Sequence, residues 1–474
     1  MKRLRFFIFL LIFCIISMIL LYMTSIVPST IFYLIILFYV INLVLIFILL
    51  TRNKKKKKKK RKVARFFGIL WGIILMIISG IAIFLCFKAS SFFDKISNQE
   101  YETSNYSVII LKDSKYEKID DLENIGIYKN ELDKNYALAV EEFNDKHKVE
   151  NKEYDGLVAL VANLLESKVN AILINENYIE IIDETTSGFK DKTKVLDTVS
   201  IKSIKERKEV EKELSKLGNF NIYISGIDIY GDISNVSRSD VNIIATVDMK
   251  NSKILLTNTP RDYYIQLHGT TGDKDKLTHA GVYGIDMSMQ TLEDLYETEI
   301  NYYIRVNFNT LISLVDEIGG IDIYSDLAFV PHTNKSIYVE YGWNHFDGAA
   351  ALAYSRERMA YLEGDIHRGK NQQQVIEAII KKVTKSKDIN TYLSLMGVLE
   401  NSIQTNIDKK MIQGFINLQI KNNYNWNIES TTVVGYDSAN YTYSYPGQYL
   451  YVMEPDYDSV NAAKDRIKEM LKKK

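Results

Sequence analysis

The sequence predicts an α/β protein in three parts. Residues 1–93 read as a membrane region with three transmembrane helices, 101–216 as a small accessory α/β domain, and 219–470 as a larger α/β sandwich around a central mixed sheet. Three observations carry this. The apolar runs Phe6–Met23, Ile31–Leu50 and Phe66–Phe87 hold no charge, and each approaches the ~20 residues that cross a hydrocarbon core. After Tyr101 the chain alternates short apolar strands with segments of helical period. The formal net charge of zero is also unevenly spread: residues 1–93 hold about 15 Lys and Arg and no acid, leaving about 44 bases against 59 acids beyond them. An acidic C-terminal part excludes a nucleic-acid binder, which needs a basic surface.

Basic residues set the expected orientation. Lys2, Arg3 and Arg5 mark a cytoplasmic N-terminus, the loop Thr24–Thr30 has no Lys or Arg, and Arg52 with Lys54–Lys62 form a dense basic loop within 51–65 that stays inside. Everything after about Ser90 is then extracytoplasmic. A cleaved leader is the alternative for the first run, but no small-x-small site follows it. The Lys run is read as a topology determinant resting on anionic lipid, with a nucleic-acid or partner patch as the sharper alternative. Cys14 and Cys86, the only cysteines, lie in apolar runs and form neither a disulfide framework nor a zinc site.

In the accessory part, Ser107–Leu111, Ile125–Tyr128 and Val169–Ile174 read as strands and Leu157–Leu165 as a helix. No catalytic constellation occurs there, so a spacer role is the plainer expectation. Glu206–Leu217 is a charged helical stretch that could connect the two domains. In the larger part, strands are expected at Ile222–Gly226, Val241–Val247, Ile254–Thr257, Tyr302–Val306 and Ile321–Tyr324. Helices are expected at Asp286–Tyr296, Thr310–Ile318 (closed by Gly319-Gly320), Gly348–Tyr354, Asn371–Lys385, Tyr392–Ser402 and Lys409–Lys421.

Charged residues punctuate these elements in an order of their own. Asp228 follows one strand and Asp240 precedes the next, which places both beside loops. Two carboxylates suffice for Mg²⁺ when phosphate and water complete the octahedron, although either Asp alone suits a turn or a helix cap. Arg261 stands between Pro260 and Asp262. Asp262 either orients that guanidinium or balances charge at the surface. Arg356 and Arg358 share a face if the stretch is extended, and Arg368 and Gln372 stack if the last long helix reaches back to Arg368. Guanidinium forks clamp phosphate oxygens bidentately, so the set describes a site for a pyrophosphate with a magnesium-like ion.

These residues fall in motifs: Arg238-Ser239-Asp240, Pro260-Arg261-Asp262, Asp275-Lys276 with His279-Ala280, Asn307-Phe308, Val315-Asp316 with Gly319-Gly320-Ile321-Asp322, Gly348 with Ala351–Tyr354, Arg356-x-Arg358, Asp365-x-x-Arg368 and Gln372-Gln373-Gln374. In order and spacing, residues from about 219 to 470 resemble the LytR–CpsA–Psr family, the cell-wall glycopolymer ligases of Gram-positive bacteria. The three-helix N-terminus, the accessory module and the tail Tyr441–Gln448 look most like its capsule-biosynthesis, CpsA-like branch.

The resemblance implies a membrane enzyme with an extracytoplasmic domain. It would move a glycan, of capsular type, from a polyprenyl-(pyro)phosphate carrier to peptidoglycan. It implies Asp228 and Asp240 as Mg²⁺ ligands and Arg261, Arg356, Arg358, Arg368 and Gln372 as the pyrophosphate set, with Arg238 beside it. It makes Arg261, Asp262, Arg356, Arg358 and Arg368 the catalytic group, with Asp262 or Asp240 open as the base. A polyprenyl tail would lie in an apolar pocket between sheet and helices. Membrane lipid and capsule-assembly proteins are the further partners expected. Two readings compete: a polyprenyl-pyrophosphate phosphatase and a non-catalytic regulator of capsule assembly. The sequence departs from the family at Asn371, where Arg is frequent, at His367–Asn371, which blurs the helix start, and at Glu357, where an aromatic is usual.

Overall fold

The computed structural model describes residues 2–24, 29–51, 58–97, 101–129, 133–204, 218–229, 231–386, 394–395, 397–399 and 402–472. Glu206–Leu217, residues 392–393, 396 and 400–401 of the expected helix Tyr392–Ser402, most of the loop after Thr24 and positions 52–57 of the basic stretch lie outside the described residues.

Three helices open the chain: α1 Lys2–Thr24, α2 Ser29–Thr51 and α3 Lys58–Ser97. All three are long and apolar enough to span a membrane. The stretch 51–65, expected as a loop, is helical from Lys58 onward, since lysine is a good helix former and no Gly or Pro interrupts it. The helices meet along a polar seam. Tyr39 Oη lies 3.2 Å from Ser17 Oγ and accepts from Ser79 Oγ at 3.1 Å, and Trp71 Nε1 donates to Asn42 Oδ1 at 2.8 Å. Inside hydrocarbon such bonds satisfy groups that lipid cannot. Cys14 and Cys86 are buried and free.

The accessory part folds as β1 Tyr101–Leu111, β2 Asn124–Tyr128, α4 Lys134–Lys146, β3 Glu150–Tyr154, α5 Leu157–Leu165, β4 Ala171–Asn175, α6 Tyr178–Thr185, α7 Phe189–Lys192 and β5 Thr193–Ile204. Its five-stranded sheet has the order β3-β2-β4-β1-β5, parallel among β3, β2 and β4 and antiparallel at β1. The helices α4 and α5 pack Tyr136, Ala139, Phe143, Leu160 and Leu164 onto it.

The larger part begins with β6 Phe220–Ile227, β7 Ser239–Asp248 and β8 Lys253–Asn258. A two-residue pair follows, β9 Tyr264–Ile265 with β10 Asp275–Lys276, then α8 Leu277–Ala280, α9 Ile285–Tyr296, β11 Tyr302–Val306 and α10 Phe308–Glu317. Next come β12 Ile321–Ser325, β13 Gly342–Phe346, α11 Gly348–Arg356, α12 Asp365–Lys385, β14 Ile403–Thr405 and α13 Lys409–Asn422. The chain closes with β15 Asn427–Thr432, the hairpin β16 Gly435–Thr442 and β17 Tyr445–Pro455, and α14 Tyr457–Leu471. The central sheet is mixed, as expected, in the order β14-β11-β6-β7-β8-β15. β11 runs parallel to β6 and β15 parallel to β8.

The period of two along each strand divides the apolar residues between two layers. Tyr223, Ile244 and Leu255 face α9 and α14, while Ile243, Ala245 and Leu256 face α12 and α13. Several motif residues serve this architecture. Asn307 caps α10 through Oδ1, which accepts from Thr310 N at 3.0 Å. Asp316 Oδ1 accepts from Gly348 N at 2.7 Å and so holds the start of α11. His279 Nδ1 lies 2.6 Å from Asp275 Oδ1, and Asp275 Oδ2 accepts from Ser444 N at 2.8 Å, both acid and base fully buried.

At Gly348, α11 and α10 meet backbone to backbone. A Cβ there would stand 2.3 Å from the Ile312 carbonyl oxygen. Gly348→Ala should therefore force the helices apart and cost about 1–3 kcal/mol, the range of overpacked cores. A fall in the thermal midpoint of the unfolding transition of the larger part checks this, and an unchanged midpoint would refute it.

The accessory and larger parts share a boundary. Thr103 N donates to Ser234 O at 2.9 Å and Val236 N donates to Thr103 O at 2.8 Å. Val282, Tyr445 and Leu450 of the larger part are buried in the accessory core. Gln413 Nε2, on α13, donates to the carbonyl of Thr24 at the end of α1, 2.6 Å away.

Candidate active site

One cavity of about 480 Å³ opens between the sheet and helices α10–α12. Its interior is apolar: Ile222, Ile224, Val241, Ala245, Val247, Ile254 and Ile304 from the strands, and Phe308, Leu311, Leu314, Leu352, Val375, Ile376, Ile379 and Ile380 from the helices. Its mouth is ionic: Asp228, Asp240, Arg261, Arg356, Arg358, Arg368 and Gln372, with Ser355, Asn307, His332 and Thr333. Seven of the nine residues marked as candidates in the sequence thus line one space. Arg238 and Asp262 are not among the lining residues.

Local structure explains the convergence. β6 and β7 are antiparallel, with Gly226 opposite Val241 and Ile227 opposite Ser239. The register shift between those pairs leaves Asp240 as the extra residue of a bulge, which re-aims its side chain. Asp228 follows the last residue of β6 and reaches the same mouth. Arg261 follows β8 on a loop pinned by Thr278 N, which donates to the Arg261 carbonyl at 2.8 Å. Arg356 ends α11 rather than lying in an extended stretch. Its guanidinium lies 4.3 Å from the centre of the Phe308 ring.

α12 starts at Asp365, not at Asn371. Arg368 therefore sits in its first turn with Gln372 one turn on. Gly369 permits this, since a Cβ there would lie 2.1 Å from Asn258 Nδ2. Asn371 turns away from the cavity and donates from Nδ2 to the Tyr354 carbonyl at 3.1 Å.

The charges are paired through the mouth. Arg261 Nη1 donates to Asp240 Oδ2 at 2.7 Å, and its Nε to Asp262 Oδ2 at 3.4 Å. Thr278 Oγ1 donates to the other Asp240 oxygen at 3.1 Å. Arg356 Nη2 lies 3.4 Å from Asp228 Oδ1, and Arg368 Nη2 lies 2.5 Å from Asp365 Oδ1. Burial alone would raise the Asp240 carboxyl. The guanidinium of Arg261, then those of Arg368 and Arg238, outweigh it and hold Asp240 well below the usual carboxylate range. Asp228 is pushed up, first by burial and then by the charge of Asp240, against the pull of Arg356. Two carboxylates held against their mutual repulsion among arginines suit a hard cation. Among the described residues no group of three or more His, Cys, Asp or Glu could hold a metal by itself. As a pair they could hold an ion that takes only one or two protein carboxylates and fills its shell from phosphate and water.

Asp262 sits behind Arg261. Its Oδ1 lies 3.6 Å from Lys276 Nζ, and that ammonium also donates to Glu184 Oε2 at 3.1 Å. Arg238 Nη1 lies 3.7 Å from the other Glu184 oxygen. Glu184 belongs to α6, so the accessory domain reaches the rim of the site. Sequence reading missed Glu184, Thr278 and the partner role of Asp365. The spacing Asp365-x-x-Arg368 did carry a signal, but a contact across 92 positions carried none. Glu357 is a buried structural acid. Burial raises its carboxyl, yet the backbone N–H groups of His332, Ala360 and Met359 prevail and lower it. Its bonds to His332 N at 2.7 Å and Ala360 N at 2.9 Å tie the loop carrying His332 and Thr333 to Arg356 and Arg358.

Comparison with known proteins agrees with the motif set. The polyisoprenyl-teichoic acid–peptidoglycan teichoic acid transferase TagU of Bacillus cereus (strain AH820) is 32% identical over 208 residues, 44% of this chain and 67% of its own. The TagV transferase of Bacillus subtilis (strain 168) is 29% identical over 259 residues, 53% of this chain and 64% of its own. The crystal structure of B. subtilis TagV shows 27% identity with a TM-score of 0.46, covering 54% of this chain and 97% of that one. The family model described as the LytR_cpsA_psr family matches residues 184–466, more than half of the sequence and every residue of the mouth, and the chain belongs to that family.

Proposed function

We propose that the protein transfers a glycopolymer from a polyprenyl-(pyro)phosphate carrier to peptidoglycan. The observation that carries this is the two-part lining of one cavity. An isoprenoid tail fits its apolar interior, where each buried methylene contributes about 0.8 kcal/mol, and a diphosphate fits its arginine mouth. The relatives named above are transferases of polyisoprenyl-linked teichoic acid to peptidoglycan. The three membrane helices put enzyme and lipid-linked donor on one surface. The site faces the side opposite the Lys-rich stretch, in line with positive-inside orientation. The polymer moved is of capsular type, a reading supported by the resemblance of the three-helix start and the tyrosine-rich tail.

In the reaction the oxygen of an acceptor hydroxyl forms the new bond and gives its proton to Asp240, taking the place of the carrier. The bond to the carrier breaks and the polyprenyl phosphate leaves with the electron pair. Negative charge grows on the diphosphate oxygens. Arg261 and Arg368, held by Asp240 and Asp365, would act on that charge as preorganised donors, and Arg356 and the exposed Arg358 would add their charge at the mouth. Gln372 adds an amide donor, and Asp262 and Asp365 hold Arg261 and Arg368 in register. Asp228 and Asp240 would hold Mg²⁺, which when bound neutralises diphosphate charge. Asp240, the one of the two candidate bases that lines the cavity, is kept ionised by Arg261.

The test is transfer by the full-length protein in liposomes, given a lipid-linked glycan and peptidoglycan oligomers with Mg²⁺. Covalent glycan–peptidoglycan product is expected. Release of glycan or phosphate at the same rate without acceptor would make the protein a phosphatase. Tight lipid binding without turnover would make it a regulator.

A further inference from the structure

The tyrosine-rich hairpin is the one motif of the tail that the reaction does not use. One of its faces is committed: Leu450 is buried in the accessory core with Tyr445, at the base of β17. The other face carries aromatic rings into solvent. Tyr441 pairs with Tyr449 across the strands, their ring centres 4.2 Å apart, and Ala439 pairs with Tyr451. All four are exposed. Three tyrosines on a braced sheet, around a small residue that leaves a ring-sized gap, do not serve a core. Exposed aromatic surface of this kind marks an interaction site. Tyrosine also offers both an apolar ring face and a hydroxyl, the pair of contacts a pyranose needs for its C–H face and its hydroxyls.

The face is continuous with the active site. Met453 N, on β17, donates to the Asp262 carbonyl at 2.7 Å. Lys276 Nζ, which reaches Asp262, lies 5.9 Å from the centre of the Tyr451 ring. Successive side chains on one strand face are about 7 Å apart, so Tyr451 and Tyr449 lead outward in steps from the arginine mouth. Beyond Lys276 the charged group on this face is Asp437, whose Oδ1 accepts from Tyr451 Oη at 2.7 Å. A polyanionic chain would be repelled here, while a neutral sugar chain finds acceptors for its hydroxyls.

We propose that the outer face of the β16–β17 hairpin is a saccharide subsite that carries the glycan of the lipid-linked donor away from the arginine clamp and takes uncharged pyranose units. The donor is the occupant because its sugar is joined to the diphosphate and must leave the clamp beside Asp262 and Lys276. This rests on the transferase reading and adds a substrate class to it. It also gives the accessory domain a task, that of bracing the hairpin from behind.

The test uses the full-length protein in nanodiscs and three probes: a bare polyprenyl diphosphate, the same lipid carrying a neutral N-acetylhexosamine tetrasaccharide, and the same lipid carrying a glycerol-phosphate oligomer. The wild type should bind the tetrasaccharide lipid on the order of 10-fold tighter than the bare lipid, as stacking on two aromatic rings implies, and should gain nothing from the anionic oligomer. Tyr441→Ala with Tyr449→Ala should erase the gain while bare-lipid affinity holds. The double Phe variant should keep most of the gain and shows that the hairpin remains folded. Tyr436→Ala, on the opposite face, should behave as wild type. A tetrasaccharide gain that survives the double Ala change overturns the proposal. So does an equal gain from the anionic oligomer, or a loss confined to the KM for peptidoglycan. Failure of the wild type to bind even the bare lipid overturns the clamp reading itself, a distinguishable result.

Discussion

Arg261→Ala is expected to reduce glycan transfer by about 100-fold or more, the typical cost of removing one preorganised donor from developing charge. It should also lower stability. Arg261 is the shared partner of Asp240 and Asp262, and the side chains of all three are more than four-fifths buried. Breaking a buried pair from one side leaves uncompensated charge and costs about 3–5 kcal/mol. The two losses separate in Arg261→Lys. An ammonium restores the charge facing Asp240, and so much of the stability, but it cannot reproduce the planar fork on a diphosphate. Rate and thermal midpoint should therefore recover unequally in the Lys variant. Recovery of both together would show that Arg261 acts only by holding the two aspartates.

The second large effect is expected at the carboxylate pair. Asp228→Asn and Asp240→Asn keep shape and remove charge. Each should weaken Mg²⁺ binding in the presence of a lipid diphosphate by more than about 100-fold, since changes in the outer shell alone cost 10–100-fold. Calorimetry on the protein with and without the lipid measures this. The dependence on lipid should be strong, because the protein offers only two carboxylates and the diphosphate supplies further oxygens. Asp240→Asn carries an added signature: Arg261 loses its 2.7 Å partner, so its affinity for diphosphate without metal should rise. Unchanged metal affinity in both variants would assign these residues to turn and bulge geometry alone.

The parts of this structure legible in the sequence are those written in local pattern. Strand pairs with a turn between them, such as β7 and β8, and helices with a clear apolar stripe, such as α5 and α9, follow from periodicity and caps. Asp228 and Asp240 could be placed at strand ends. The bulge that turns Asp240 into the cavity could not, because register is fixed by pairing and not by either strand alone. The start of α12 was masked by Gly369, which reads as a breaker yet is required by the approach of Asn258. The cavity interior was illegible for a different reason. Ile376 and Ile380 line the cavity while also packing against the core, so residue type cannot separate a lipid channel from a packed interior. The β16–β17 hairpin stood out only as a tyrosine-rich tail, because its exposed tyrosines face water where aromatic residues are expected to face the core.

The bond from Gln413 to the last carbonyl of α1 has a consequence for reach. A domain on a flexible leash samples a sphere, and its working distance is an average. Here Gln413 seats the globular part on the end of the first span. Height above the bilayer is then a built-in dimension, like the jaw of a bench vice. Only the stratum of wall that passes at that height is within range, so the place where polymer is joined follows from that seat on the span rather than from the sweep of a leash.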